Sequence, residues 1–386
     1  MKKISLSLVV ITTLSFYASA NAKNFKEALT NGKVSGEVAA TYENRSFDKD
    51  KDTYYRDSEY SVGSFALKYE TGVWNDLSLT SKFRAYGTIF EKDDSAQTGT
   101  GTGDATGRFY EKNGSNQTAD LEELFLAYNL ENISVKAGRQ AISTDWINKT
   151  HDALKIDAIF GNTSIEAIWS ERQGRIYSRD YRPMSDINGD KGVYKLGLTH
   201  KFDETISVTG YSLVMPDVKD IYGARTNLTF GDTALRLHYA ISNDDDSSEA
   251  DSNIIDLMLS SSIAGFSPYI GYVKVDDDAL FPGYNQGSGE IIVPFEEGDY
   301  VYSKGAETFY VGLGKSFADL TASLLYGTTQ YDAGSERQRV HETSLWLGYP
   351  VMKDLQATLG YTLVDEDRNS SVTDYNQVNI TLAYSF

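Results

Sequence analysis

The chain contains no cysteine, which excludes a disulfide framework and any thiolate metal site. Basic residues are the minority, 36 Lys and Arg against 55 Asp and Glu for a net charge of −19. A balance so acidic excludes the broad basic surface on which nucleic-acid binding rests. The four histidines, His151, His200, His238 and His341, are scattered without metal-ligand spacing. Beyond the first residues no apolar run approaches the ~20 residues of a spanning helix. There is no Gly-x-Ser-x-Gly elbow. The run Gly99 to Gly107 has no Gly-Lys-Ser/Thr after it and no expected helix, so it is not a phosphate loop. No catalytic residues, metal or cofactor are expected.

What the chain does have is 27 Tyr, 17 Phe and 32 Gly with only six prolines, set in a regular series of alternating segments. Eighteen strands are expected: Lys33–Arg45, Ser58–Thr71, Leu77–Phe90, Ala119–Leu130, Asn132–Gln140, Lys155–Phe160, Ser164–Ser170, Gly192–Phe202, Thr205–Val214, Asp220–Phe230, Thr233–Ser242, Ser252–Ile263, Gly265–Val275, Ala306–Phe317, Asp319–Tyr331, Val340–Tyr349, Asp354–Asp365 and Thr373–Phe386. Tight turns alternate with long polar loops, including Glu91 to Thr118, Glu171 to Lys191 and Asp276 to Gly305. The pattern predicts an all-β fold, a transmembrane antiparallel barrel with short periplasmic turns and long extracellular loops, since only a closed barrel satisfies strand backbone groups in lipid.

The alternation assigns faces. Tyr194, Leu196 and Leu198 oppose Lys195 and Gly197, and the final strand puts Ile380, Leu382, Tyr384 and Phe386 on one side. Lys315 falls on the apolar parity at the short-turn end, where a lysine can snorkel. Lys2 and Lys3, the apolar stretch Ile4 to Tyr17 and Ala20-Asn21-Ala22 make a signal peptide over residues 1–22. Residues 23–386 are then one barrel domain, exported to the cell outer membrane.

On the opposite, lumen-facing parity stand Lys68, Lys82, Arg84, Lys136, Lys195, Arg225, Arg236, His238 and Asp256. Fixed charges on such a wall act as a selectivity filter. Ile133, Val135 and Ala137 place Arg139 on the lipid parity, at the loop end of its strand, where a bulge would turn it inward. The loop Ala141 to Leu154, with Asp145, Trp146, Lys149, His151 and Asp152, is a candidate constriction in which the aspartates oppose the basic wall. Arg172, Arg175, Arg179 and Arg182 form a cationic group at the mouth. Most other loops are acidic. Asp48-x-Asp50-x-Asp52 with Glu59 has calcium-loop spacing but carries Thr53 where the sixth-position glycine belongs.

Asp120-Leu121-Glu122-Glu123-Leu124-Phe125-Leu126-Ala127-Tyr128, continuing to Val135-Lys136-Ala137-Gly138-Arg139-Gln140, resembles the OprD family of outer-membrane porins. The resemblance implies a substrate-selective diffusion channel with eighteen strands, an inward third loop and a basic ladder in which Arg139 takes part. It also implies recognition of the terminal aromatic strand by the barrel-assembly machinery. The sequence after Gln140 departs from better-known members, so the solute stays open among ions, amino acids and small carboxylates. The expected partners are outer-membrane lipid, lipopolysaccharide and small hydrophilic solutes, not nucleic acid, and the chain is a monomer or a trimer. A barrel hydrolase built on His151 or His341, and an adhesive surface barrel, are the competing readings.

Overall fold

The computed structural model describes residues 21–47, 57–95, 97–98, 101–110, 119–245, 250–281, 292, 295–296, 298–366 and 374–386. Residues 1–20 of the expected signal peptide and the Asp48-x-Asp50-x-Asp52 spacing lie outside them. In chain order the elements are α1 (Phe25–Thr30), β1 (Lys33–Phe47), β2 (Ser58–Glu70), β3 (Leu77–Glu91), the two-residue strands β4 (Gln97–Thr98) and β5 (Gly101–Thr102), α2 (Asp104–Arg108), β6 (Ala119–Asn129), β7 (Ile133–Thr144), β8 (Ile147–Phe160) and β9 (Thr163–Tyr177). Then follow β10 (Asp180–Asp186), β11 (Val193–Lys201), β12 (Ile206–Met215), β13 (Lys219–Phe230), β14 (Thr233–Asp244), β15 (Ser252–Ser261) and β16 (Phe266–Val275). A 3-10 turn at Gly298–Tyr302 precedes β17 (Glu307–Phe317), β18 (Leu320–Ala333), β19 (Glu336–Met352), β20 (Leu355–Glu366) and β21 (Tyr375–Ser385). Among the described residues, no helix is long and apolar enough to cross a membrane.

Each long strand pairs antiparallel with its neighbours, and β1 pairs with both β2 and β21, so the sheet closes. Of its nineteen strands, β10 pairs only with β9. The wall is therefore an eighteen-stranded barrel with one extra strand. Closure has no free edge, which is what lets strands cross lipid with every backbone group paired. At the seam Gly36 and Phe386 exchange backbone bonds of 2.9 and 3.0 Å. The Phe386 ring lies over Gly36, in the space a Cβ would occupy, and stacks near Phe65.

The expected faces are present. Leu196, Leu198, Leu257, Leu313, Leu363 and Leu382 are exposed on the outside, while Lys195 and the next inward residues are buried. Removing such leucines from water is worth roughly 1.5–3 kcal/mol each, so this belt needs lipid around it. Lys315 does snorkel: its ammonium sits 3.7 Å from the centroid of Phe266 and donates to the Ala264 carbonyl at the turn.

Three local expectations change. Ala141–Leu154 is not a loop: β7 runs to Thr144, Asp145 and Trp146 make the turn, and β8 starts at Ile147. Glu171–Lys191 is likewise a hairpin, the upper part of β9 with β10. The glycine-rich run does hold a short helix, α2. Positive φ at Trp146 and Lys149 and register shifts near Asp152 and Arg182 break the two-residue period, which hides these strands from pattern reading.

Candidate functional site: a flap folded across the lumen

The pairing of β6 with β7 stops at Leu124 and Arg139, although both strands continue. Gly138, at φ 124°, makes the bend, and a Cβ there would press into the Leu124 carbonyl. Arg139 fills the notch that opens. Its Nη1 donates to the Leu121 carbonyl and to Asp120 Oδ1, each at 3.1 Å. Its Nε and Nη2 donate to Asp152 Oδ1 and Oδ2 at 2.8 and 3.0 Å. The Gln140 amide donates to the carbonyls of Lys136, Gly138 and Ala153 at the same bend. Gly138-Arg139-Gln140 is thus a crease, and its three residues divide the labour: the glycine, lacking a side chain, permits the bend, and the other two satisfy the backbone it exposes.

The crease continues across the neighbouring strands. Arg139 is register partner of Asp152, Asp152 of Arg172 and Arg172 of Asp186. Arg172 sits 3.7 Å from Asp152 and donates to Asp186 at 3.0 Å. With Asp120 this makes a row of five alternating charges over β6 to β10. Above it the tops of β7, β8, β9 and β10 turn inward as one small sheet, the flap.

Each corner of the flap is fastened to distant wall. At the β7–β8 corner Trp146 is fully buried and its Nε1 donates to Tyr211 Oη at 2.6 Å, with Tyr211 Oη 2.6 Å from His238 Nε2. The indole N–H can only donate, so the Tyr211 hydroxyl accepts from it and links Trp146 to the His238 ring. Asp145 pairs with Arg225 beside this relay. Trp146 also packs on Phe281 and Tyr302. At the β9–β10 corner the Ser178 carbonyl accepts from Thr41 on β1 at 3.0 Å. Arg179 lies 4.6 Å over Trp346 of β19 and donates to Glu296 at 3.0 Å. Between the corners Thr144 hydrogen-bonds Glu166 at 2.8 Å and Lys195.

Beside the flap, α2 sends Arg108 to Glu43 on β1 at 2.8 Å, and Phe109 and Tyr110 pack on Tyr86 and Tyr181. Burial pushes the Tyr110 phenol up.

The lumen walls differ. On the β1–β11 side most of the cations are ion-paired. Arg84, 2% exposed, donates to Glu122 and Glu37 at 2.8 and 2.9 Å. Lys82 meets Glu122 at 2.7 Å, Lys68 meets Glu70 at 3.0 Å, and Lys195 and Lys155 share Glu166 at 3.0 and 3.2 Å. Arg236 meets Asp256 at 2.8 Å on β14 and β15. Lys136 and Lys149 make no ion pair among the described residues; their ammonium groups sit 5.4 Å from the rings of Phe125 and Tyr177. The β16–β21 wall is lined by hydroxyls that pair across strands: Thr308 with Thr329 at 2.9 Å, Ser344 with Thr362 at 3.4 Å, and Thr381 with Thr41 at 3.4 Å. Glu342 and Glu366 are its inward carboxylates.

The structure therefore brings Asp145, Trp146, Arg225 and His238 together, and adjoining strands place Arg236 and Asp256 beside them. Of the mouth group, Arg175 and Arg182 are register partners across β9 and β10, with Arg175 pairing with Asp180 at 3.0 Å; Arg179 stands at the corner of the same hairpin over Trp346, and Arg172 lies further down, at the crease. Lys149 lies by the second corner instead. Sequence reading missed Tyr211, Arg45, Trp346 and the counter-carboxylates Glu37, Glu122 and Glu166. Arg45, held by Gln377 at 2.7 Å from Nε, shares parity with Thr41 and could have been found by it. His151 engages Ser170 and the Asn148 carbonyl at 2.9 Å each, and His341 stacks on Tyr326. Among the described residues no group of three or more His, Asp or Glu is set to hold a metal ion.

A lipid-belted closed barrel with a tethered sheet across a polar lumen defines the class, a membrane-spanning β-barrel. The fold is that of the OprD/Occ channels. Acinetobacter baumannii OccAB4 superposes with TM-score 0.74 at 14% identity, covering 93% of this chain and 99% of that one. Pseudomonas aeruginosa OccK9 (OpdG) gives 0.75 at 16%, covering 93% and 99%. OpdK of the same species, crystallised with vanillate, gives 0.71 at 14%, covering 93% and 99%. The family model of the Campylobacter major outer membrane protein matches residues 1–169. No curated protein matches the chain by sequence.

Proposed function

We infer that the protein is a passive channel for small hydrophilic solutes, with small carboxylates and amino acids its best-served class. The observation that carries this reading is the flap, a sheet tethered at two corners that leaves solutes an ion-paired wall on one side and a hydroxyl wall on the other. Paired cations hold the walls in place, whereas the Lys136 and Lys149 ammonium groups face aromatic rings and have no carboxylate partner among the described residues, which makes them the candidate contacts for an anionic solute. OpdK's crystallisation with vanillate supports trying aromatic acids as well.

Liposome swelling tests the reading. Small carboxylates should enter faster than neutral polyols of equal size, and Lys149→Gln should narrow that difference. Equal rates for both classes would refute the solute class while leaving the channel itself.

We also hold that residues 1–22 are removed and that residues 23–386 form one domain. Lys23 N lies 2.8 Å from Glu27 Oε2, so cleavage after Ala22 would set the new ammonium beside a carboxylate at the start of α1. N-terminal sequencing of protein from outer membranes checks it. Phe386, outward at the barrel seam, suits recognition by the assembly machinery, and lipopolysaccharide is the lipid expected around the loop rim. Native mass spectrometry distinguishes monomer from trimer.

A further inference from the structure

We propose that α1 is a lipid anchor, an interfacial segment seated in the phospholipid leaflet on the outer flank of the barrel at its short-turn rim.

The placement follows from Tyr69. On β2 the exposed Phe65 and Leu67 mark the outward parity, and Tyr69 shares it. Its register partner Val34 is exposed on the outer face of β1. The Tyr69 hydroxyl donates to the Leu29 carbonyl of α1, and its ring fills the space where Gly32 would carry a Cβ. The helix is thereby tied to the lipid side of the wall rather than across the lumen. Two further contacts fix its roll. The Ala28 carbonyl accepts from Gly72 N at 2.9 Å, with Ala28 buried against that turn, and the Phe25 ring meets Trp74 edge-on at 5.7 Å.

With Ala28 turned to the barrel, Phe25 and Leu29, four residues apart and hence on one face, remain 58% and 41% exposed. This apolar face is continuous with Val34, Val38 and Phe386 of the belt that already requires lipid. Lys23 and Lys26 flank it and are exposed, suited to the phosphates of an interface. A water-facing helix of six residues has no reason to carry an exposed Phe and Leu beside a hydrocarbon belt, whereas an interfacial one does.

The absence of native cysteine makes the test direct. Single-cysteine variants Phe25→Cys, Leu29→Cys, Lys26→Cys and Val34→Cys are spin-labelled in the full barrel and reconstituted into phosphatidylethanolamine and phosphatidylglycerol vesicles. Positions 25 and 29 should collide with oxygen more than with an aqueous nickel chelate, following Val34, and Lys26 should show the reverse. Nickel access at 25 and 29 equal to that at 26 would overturn the anchor. Exclusion of both reagents would mean a protein surface covers the helix and would also overturn it. Phe25→Trp, which keeps an aromatic ring, supplies a second readout: brominated phospholipid should quench the added fluorescence, and unquenched emission would contradict the proposal.

Discussion

Arg139 and Asp152 face each other across β7 and β8 in a two-bond pair of 2.8 and 3.0 Å, at the line where β7, β8 and β9 leave the barrel wall. Arg139 also caps the Leu121 carbonyl that the departure of β7 uncovers. A single guanidinium thus closes the wall and sets the angle of the flap.

Arg139→Gln removes the charged fork and leaves Asp152 with Arg172 alone. Charge-assisted bonds of this kind are worth about 1.5–3 kcal/mol. The variant should unfold at lower temperature in detergent, and its single-channel current should fluctuate more than wild type. Unchanged current noise would show that the crease is not what holds the flap.

Gly138→Val forces a β-branched residue to φ 124° against the Leu124 carbonyl. Left-handed strain alone costs roughly 1–3 kcal/mol. Folded yield, read as the gel shift between unheated and heated samples, should fall, whereas Ala141→Val on the exposed face should leave it as it is.

Tyr211→Phe deletes the hydroxyl between Trp146 and His238 and strands both ring nitrogens, costing about 1–3 kcal/mol. Trp146→Ala empties a fully buried site, at about 3–5 kcal/mol, and frees the same corner. Both should raise conductance, the second more. Planar-bilayer recordings at matched salt check the order.

Arg84→Gln and Arg225→Gln each leave a carboxylate partner behind, Glu122 and Asp145. The reversal potential in a salt gradient should therefore move toward cations in each. Pairing Arg84→Gln with Glu122→Gln should restore most of the shift.

Much of this barrel was legible in the chain because lipid imposes a two-residue period. Tyr194, Lys195 and Leu196 declare their faces without any partner being known, and Phe386 declares the seam. The flap was less legible because its causes are remote or irregular. Trp146 is buried by Tyr211, 65 residues on, and the bend rests on one φ at Gly138 and an extra residue near Glu171. Parity found the cations Lys82, Arg84 and Lys195 but could not show that Glu122 and Glu166, from neighbouring strands, neutralise them. The Gly138-Arg139-Gln140 motif could be recognised in sequence; its work as a crease needed the register of β6, β7 and β8.

The central claim is that this barrel conducts. Purified, heat-modifiable protein in a planar lipid bilayer should insert in discrete conductance steps of uniform size that persist under a steady potential. A bilayer that stays silent with demonstrably folded and inserted barrel would contradict it.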